Sequence, residues 1–450
     1  MKISEIEIKS YQQFKDFKLD LTYPAGHAKA GQPLDKVCFI GQSGTGKTTL
    51  LNIMREVLQH RVSLKDSAQI QNYADAKSDT FSFAITLSHE QLGLEKVHKS
   101  PQDIITGNRN WGRFFLKDKT VFSSYLGIRE KVKNVYVHFS AELLDKNNDF
   151  IVNSNIDPKI YISEDEASRS KLSQDRKLFS EKNFYDFSTD SPVDIWKQIL
   201  YSAREFMIGE AKFTKEMVKS ILTHDIASFD EHAKKAKEWR KQTPSAFEAL
   251  AQKVNPFLHR FNLELKLNID YDNPEDMKFL LVQPRNRHNE KLDYRTWSTG
   301  TKQVVMTATP LFALDTTDTI ILFDEPERSL YPDVQRELVK FYTDLAPQAQ
   351  FFFATHSPLI AAQFEPCERF VLTFNEEGYV EARPGRAPEG DDPNDVLTQD
   401  FMLHELLGEA GLKKREEFLE LKSRVKHEQD QTKRDELMKQ LFALQAEYNF

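Results

Sequence analysis

The octapeptide Gly41-Gln-Ser-Gly-Thr-Gly-Lys47-Thr48 constrains this chain more than any other stretch, because it matches the spacing G-x-x-x-x-G-K-[ST]. Its flanks agree with it. Lys36–Ile40 (KVCFI) reads as a short buried strand, and Leu50, Leu51, Met54, Val57 and Leu58 recur at helical spacing between Thr48 and His60. A strand, a glycine loop and a helix in that order aim backbone N–H groups and a helix N-terminus at one point, where a phosphate is favoured. Gly41, Ser43, Gly44, Gly46, Lys47, Thr48 and Thr49 are therefore read as the nucleotide-binding set. The glycines permit the wrap, Lys47 serves the β- and γ-phosphates, and the Thr48 hydroxyl ligates Mg²⁺.

A second element is Thr319-Ile-Ile-Leu-Phe-Asp324-Glu325. An apolar strand that ends in two acids places one carboxylate at the metal and the next beside the γ-phosphate. Asp324 is assigned to Mg²⁺ and Glu325 to the attacking water. Alone, two acids after a buried strand are commonplace; downstream of the glycine loop they acquire meaning.

Two further elements distinguish among phosphate-loop ATPases. Trp297-Ser-Thr-Gly-Thr-Lys-Gln303 precedes the acids, and Phe351-Phe-Phe-Ala-Thr-His356-Ser-Pro358 follows them. The first is similar to the ABC signature, in which the Ser298 hydroxyl and the Gly300 N–H would face a γ-phosphate bound by a second copy. The second ends a strand on His356, where ABC ATPases carry a switch histidine that contacts the γ-phosphate.

Four elements in this order resemble the RecF/SMC-related ABC ATPases, especially the compact bacterial group related to the overcoming-lysogenization-defect ATPases. Ile8-Lys-Ser-Tyr-Gln-Gln-Phe14-Lys-Asp-Phe17 is similar to that family's first strand and turn, and Asp324-Glu-Pro-Glu-Arg-Ser-Leu-Tyr-Pro332 to its acidic strand end and following loop. The likeness covers about residues 1–60 and 260–375. There are departures: Gln12 stands near the place where many relatives have Arg, Trp297 where Leu is usual, and Tyr331 where His is usual. No glutamine follows the 134–139 strand in the manner of a Q-loop; His138, Ser140 or Glu142 could take its place, but a structural role is the favoured reading of each.

The resemblance implies an α/β fold of the ABC/SMC-head class, a mixed sheet core plus an antiparallel β lobe, with a helical insertion and a helical tail. We divide the chain into 1–150 (ATPase lobe with the glycine loop), 151–261 (polar and helical insertion), 262–383 (remainder of the ATPase lobe) and 384–450 (tail). Strands are expected at 3–8, 14–22, 80–87, 134–139, 263–271 and 277–283, with 95–125 irregular. Residues 162–189, rich in Ser, Asp, Glu and Lys, read as an exposed insertion. Helices resume at Ser191-Pro192, with a stripe of Trp196, Ile199, Leu200, Ala203, Phe206 and Met207 and with breaks at Pro244 and Pro256. At 1.5 Å per residue, residues 191–260 form a hairpin of about 50 Å, which excludes long SMC-type coiled coils.

Outside these motifs the surfaces are blander. Lys234, Lys235, Lys237, Arg240 and Lys241 fit a solvated helix face or a phosphate contact. Leu437, Leu441, Leu444 and Tyr448 share a helix face and suit a docking or dimer surface. Glu420-Leu-Lys422 has the spacing of a nuclease pair but sits on an amphipathic helix without an upstream Asp. The net charge of −8 excludes a uniformly basic nucleic-acid binder and leaves a local basic groove open. The N-terminus alternates like a strand, and no run of about 18 apolar residues occurs, so the chain is read as cytoplasmic with no membrane contact.

The resulting expectation is an ATPase that uses ATP and Mg²⁺ at sites completed by homodimerisation or higher pairing. Its layout resembles ATPase subunits of Septu- and PARIS-type anti-phage systems, which implies a separate effector, such as a nuclease. A RecF-like DNA-repair ATPase and a nucleotide-dependent scaffold of little turnover are the alternatives.

Overall fold

In the computed structural model, residues 1–59, 82–88, 97–99, 114–116, 119–121, 136–143, 184–190, 193–242, 245–265, 282–284, 297–403 and 405–448 are described. Strands β1 (Lys2–Tyr11), β2 (Phe14–Asp20), β3 (Lys36–Gly41), β4 (Ser82–Ser88), β5 (Val97–Lys99), β6 (Phe114–Leu116), β7 (Lys119–Val121), β8 (Tyr136–Phe139), β9 (Phe184–Asp186), β10 (Leu263–Leu265), β11 (Val282–Pro284), β12 (Ile320–Asp324), β13 (Gln350–Ala354), β14 (Arg369–Phe374) and β15 (Val380–Pro384) form four sheets.

The largest sheet has seven strands in the order β15-β14-β3-β13-β12-β8-β9. All its neighbours pair in parallel except the edge strand β15, which runs antiparallel to β14. Every residue of β12 and β13 is buried. That accounts for their nearly continuous apolar sequences, since a central parallel strand is covered on both faces. The strand period of two then sorts β12 between two cores. Ile321 and Phe323 face one, and Ile320 and Leu322 face the other. Asp324 has the parity of Ile320 and Leu322, so the fold delivers its carboxylate to the second face, where helix α1 (Lys47–Gln59) lies with Leu50, Leu51, Ile53 and Met54. On the opposite face Phe139, Phe323 and Phe353 stack across three adjacent strands, with ring centroids 4.7 and 5.2 Å apart. Such pairs contribute roughly 0.5–1.5 kcal/mol beyond their burial.

The second sheet is the antiparallel lobe, in the order β2-β1-β4-β5. It is fastened to the main sheet by the buried Gln350 amide, which donates to Ile3 O (2.9 Å) and Leu34 O (2.8 Å) and accepts from Ile3 N (2.6 Å). The pairs β6–β7 and β10–β11 are small antiparallel sheets. The whole is an α/β architecture, a mostly parallel sheet with an antiparallel lobe, as expected from the sequence.

Helices α2 (Val193–Leu222) and α3 (Ile226–Gln242) form a hairpin turned through His224 at φ 58°. The longer arm spans ~45 Å. The arms meet where Trp239 stacks on Phe206 at 5.1 Å and lies where any side chain on Gly209 would have to sit. Helix α4 (Ala246–Leu258) is capped by Ser245, whose Oγ accepts from Glu248 N. Helices α5 (Thr299–Ala313), α6 (Pro332–Leu345) and α7 (Pro358–Ala361) cover the Phe323 face, and α8 (Pro393–Gln399), α9 (Glu409–His427) and α10 (Gln431–Tyr448) form the tail.

The structure departs from the sequence reading in five places. Residues 184–187 do not belong to an exposed insertion: β9 is an edge strand of the main sheet, and Tyr185, Asp186 and Phe187 are buried. Short strands β5, β6 and β7 lie within the interval read as irregular. Pro256 does not end a helix; it sits in the last turn of α4. Helix α4 leaves the hairpin altogether and buries Phe247, Leu250, Val254, Phe257 and Leu258 in the main core. The Leu437 stripe is no open docking face, because Leu437 and Leu444 pack on Phe418, Leu421 and Val425 of α9. In the 263–271 and 277–283 runs, residues 266–281 lie outside the described residues, as do 162–183.

Candidate functional site

The loop between β3 and α1 is shaped by glycine. Gly41, Gly44 and Gly46 all have positive φ. At Gly46 (φ 86°) a Cβ would lie 2.4 Å from Gln13 Nε2 and 2.6 Å from the Phe14 ring, so the β1–β2 turn closes over the loop as over a lid with no spare volume. Gln13 Nε2 also donates to Gly44 O at 3.3 Å. Gln12, near the place where many relatives have Arg, turns the chain at φ 50°, and the residue of this turn that touches the loop is Gln13. Ser43 is exposed and Thr49 half-buried at the loop's two ends.

Lys47 is buried, and its Nζ donates to Gly41 O (2.8 Å) and Gln42 O (3.1 Å). Burial lowers its pKa, against the pull of Glu325, Asp324 and Glu327. A cation in want of anions at the mouth of a helix N-terminus suits polyphosphate. At the next residue, the exposed Thr48 Oγ1 donates to Asp324 Oδ1 at 3.1 Å. Burial raises the Asp324 pKa, with the Thr48 bond opposing it. A hydroxyl and a buried carboxylate in contact are hard oxygen donors in need of a cation, which fits Mg²⁺ held through these two side chains and water.

Glu325 follows in a left-handed conformation (φ 48°), its N–H bonded to Ala354 O at 2.8 Å. This turns its half-exposed carboxylate toward His356, with Oε1 4.0 Å from Nε2. The His356 pKa is lowered by burial and by Lys47, with Glu325 opposing, so the ring is neutral at neutral pH. Lys47, Thr48, Asp324, Glu325 and His356 thus converge from β3–α1, β12 and β13, which are neighbours in the sheet.

Ser298 and Gly300 do not join that group. Ser298 is the exposed N-cap of α5, and its Oγ accepts from Thr301 N at 3.1 Å and is hydrogen-bonded to Thr301 Oγ1 at 2.8 Å. Gly300 is buried against the loop after β12, where a Cβ would lie 2.7 Å from Ser329 O. Among the described residues no hydrogen bond links either to the glycine loop.

His138, Ser140 and Glu142 also separate. His138 is buried and its Nδ1 lies 2.8 Å from Asp186 Oδ1, while Arg55 of α1 reaches Asp186 Oδ2 at 3.3 Å. Burial would raise the Asp186 pKa, but the His138 and Ser188 hydrogen bonds and Arg55 hold it well below the usual carboxylate range. Ser140 Oγ accepts from Glu142 N, and Glu142 is exposed. The loop carrying them is tied to the turn after β12, since Arg328 Nη1 donates to Ala141 O at 2.8 Å. Glu420 and Lys422 are exposed on α9, where Lys422 Nζ lies 5.8 Å from the Phe418 ring centre.

A family model described as an AAA ATPase domain matches residues 1–361. The chain belongs to that family. No curated protein matches it. This AAA ATPase domain is similar to several solved structures. An SMC head bound to the C-terminal winged-helix domain of ScpA shares 12% identity, with a TM-score of 0.43, covering 85% of this chain and 97% of that one. An SMC head with an extended coiled coil, bound to the C-terminal domain of ScpA, from Pyrococcus furiosus gives 15%, 0.40, 85% and 96%. The SMC head domain from Thermotoga maritima gives 10%, 0.41, 86% and 100%. Among the described residues no helix is long and apolar enough to cross a membrane.

Proposed function

We propose that this AAA ATPase domain hydrolyses ATP at sites shared between two copies of the chain. The observation that carries the reading is the split of the predicted residues. Lys47, Thr48, Asp324, Glu325 and His356 meet in one place, while Ser298 stands exposed at the start of a separate helix. In this reading Gly41, Ser43, Gly44, Gly46, Lys47, Thr48 and Thr49 bind the nucleotide, and Thr48 and Asp324 hold Mg²⁺. Glu325 activates water and His356 contacts the γ-phosphate. Ser298 and Gly300 complete the site of the other copy.

Mixing two inactive variants tests it. Ser298→Arg removes the shared face, Lys47→Ala the phosphate grip, and neither hydrolyses ATP alone. In a mixed dimer one site carries both lesions and the other carries none, so activity returns on mixing. Failure of activity to return while the subunits demonstrably exchange sinks the shared site.

The layout further supports a regulatory ATPase of a cytoplasmic anti-phage complex whose output is delivered by a separate effector, such as a nuclease. Val218, Ile221, Leu222 and Ile226 are exposed together around the α2–α3 connection, an apolar cluster of the kind that partners cover. Phage challenge of bacteria expressing the chain with its genomic neighbours decides this. Protection requires Lys47, Glu325 and a neighbouring gene together, and protection by this chain alone overturns the reading. The DNA-binding alternative draws on Lys234, Lys235, Lys237, Arg240 and Lys241, all exposed on α3. It predicts ATP-dependent DNA affinity that falls steeply with salt.

A further inference from the structure

The segment Glu325–Tyr331 touches the loop after β8, the end of β13 and the start of α5. Two of its residues, Glu325 (φ 48°) and Ser329 (φ 66°), are left-handed although neither is glycine. Such conformations persist only where surroundings over-determine them, and they cluster at functional sites. The restraints here are specific. Glu325 N donates to Ala354 O, and Arg328 reaches Ala141 O in the loop after β8. Ser329 O packs on Gly300 so closely that a single added carbon would clash.

Glu327 closes the circuit. Its Oε1 accepts from Thr355 Oγ1 (2.5 Å) and from His356 N (3.1 Å), the end of the strand that carries the switch histidine. Its carbonyl accepts from Leu330 N at 2.9 Å, so the same residue braces the turn bearing Ser329. The second carboxylate oxygen, Oε2, is buried with no hydrogen-bond partner among the described residues. A buried acceptor left unpaired is costly, and a residue whose only task was packing would be better apolar.

We propose that Glu327 is a positioning residue that couples occupancy of the glycine-loop site to the Ser298–Gly300 surface of the same subunit. The inference rests on the shared-site reading above. When His356 adjusts to a γ-phosphate, its backbone N–H moves with it, and Glu327 passes the displacement to the Ser329 turn. Because Ser329 O and Gly300 leave no slack, close packing carries the shift into the first turn of α5 instead of absorbing it. A subunit that holds ATP thereby presents a different surface to its partner from one that does not, the differential contact any such switch needs.

Hydrogen exchange on the full chain tests this, at a concentration where ultracentrifugation finds only monomer, with a non-hydrolysable ATP analogue and Mg²⁺. In the unmodified chain the analogue slows exchange at 41–49 and changes it at 297–303. Glu327→Ala keeps the first response and shrinks the second by at least about fivefold. Glu327→Gln, whose amide oxygen still accepts both hydrogen bonds, keeps both responses. An undiminished response at 297–303 in Glu327→Ala, or a lost one in Glu327→Gln, overturns the proposal. Should the alanine variant fail to fold, Thr355→Val removes one of the two donors and must weaken the same response. No slowing at 41–49 in the unmodified chain would instead overturn the nucleotide-site reading, so the two failures are told apart.

Discussion

The Thr48 hydroxyl lies 3.1 Å from Asp324 Oδ1, across 276 positions of sequence. The contact exists because β3 and β12 flank the same strand, β13, and because the parity of β12 turns Asp324 toward α1. It joins the two halves of the candidate nucleotide site, and its neighbours give the first prediction.

Lys47→Ala weakens ATP binding by roughly 30-fold or more, the loss of charge-assisted bonds worth about 2 kcal/mol. Glu325→Gln retains binding and lowers kcat by roughly 10²–10⁴. Equilibrium binding of a fluorescent nucleotide and steady-state phosphate release measure the two separately. A Glu325→Gln protein that turns over at the unmodified rate removes Glu325 from the water-activating role.

His356 gives a proton-linked prediction. Burial and Lys47 hold its pKa below the usual histidine value, so the free ring is neutral at pH 7. A γ-phosphate beside it favours the charged form and raises that pKa. ATP binding near neutral pH therefore takes up a fraction of a proton, and calorimetry in two buffers of different ionisation heat reads it. His356→Ala abolishes the uptake; equal uptake in the variant places the proton elsewhere.

Asp186 gives a stability prediction. Burial opposes its ionisation, but His138, Ser188 and Arg55 hold its pKa well below the ordinary carboxylate value. A depressed folded pKa means stability that is fully present above about pH 4 and is lost as the pH falls further. Asp186→Asn leaves His138 and Arg55 without their anion and costs about 3–5 kcal/mol at neutral pH. Urea melts between pH 3 and 7 should show that loss together with a shallower acid decline; an unchanged melt at pH 7 denies the cluster its role.

The tail gives a fourth. Leu444 is buried between α9 and α10, so Leu444→Ala opens a cavity that destabilises this hairpin by about 2–3 kcal/mol. Limited proteolysis should then cut within 409–448 faster, while the ATP hydrolysis proposed for the glycine-loop site stays unchanged. Equal protection of variant and unmodified tails would mean that the α9–α10 contact is not what orders it.

Much of the site was legible in the sequence because its chemistry is local. A glycine loop before a helix is written in consecutive residues, and so is an apolar strand that ends in Asp324-Glu325. What escaped was set by contacts distant in sequence. The short run Phe184-Tyr-Asp-Phe187 lies within a polar stretch, and only its pairing with β8 makes Phe184–Asp186 an edge strand. Leu437, Leu441 and Leu444 fall at helical spacing, but only the position of α9 shows that Leu437 and Leu444 are already covered.

The sequence by itself therefore determined the residue types at the glycine loop, the acid pair and His356, since backbone conformation and strand period act over a few residues. Only the tertiary structure decided that Gln13 rather than Gln12 meets the loop and that His138 is committed to Asp186. It also decided that Glu327 joins His356 to the turn beneath Gly300. Hydrogen bonds and close packing between separate strands depend on which segments the sheet order makes neighbours, and no local pattern encodes that order.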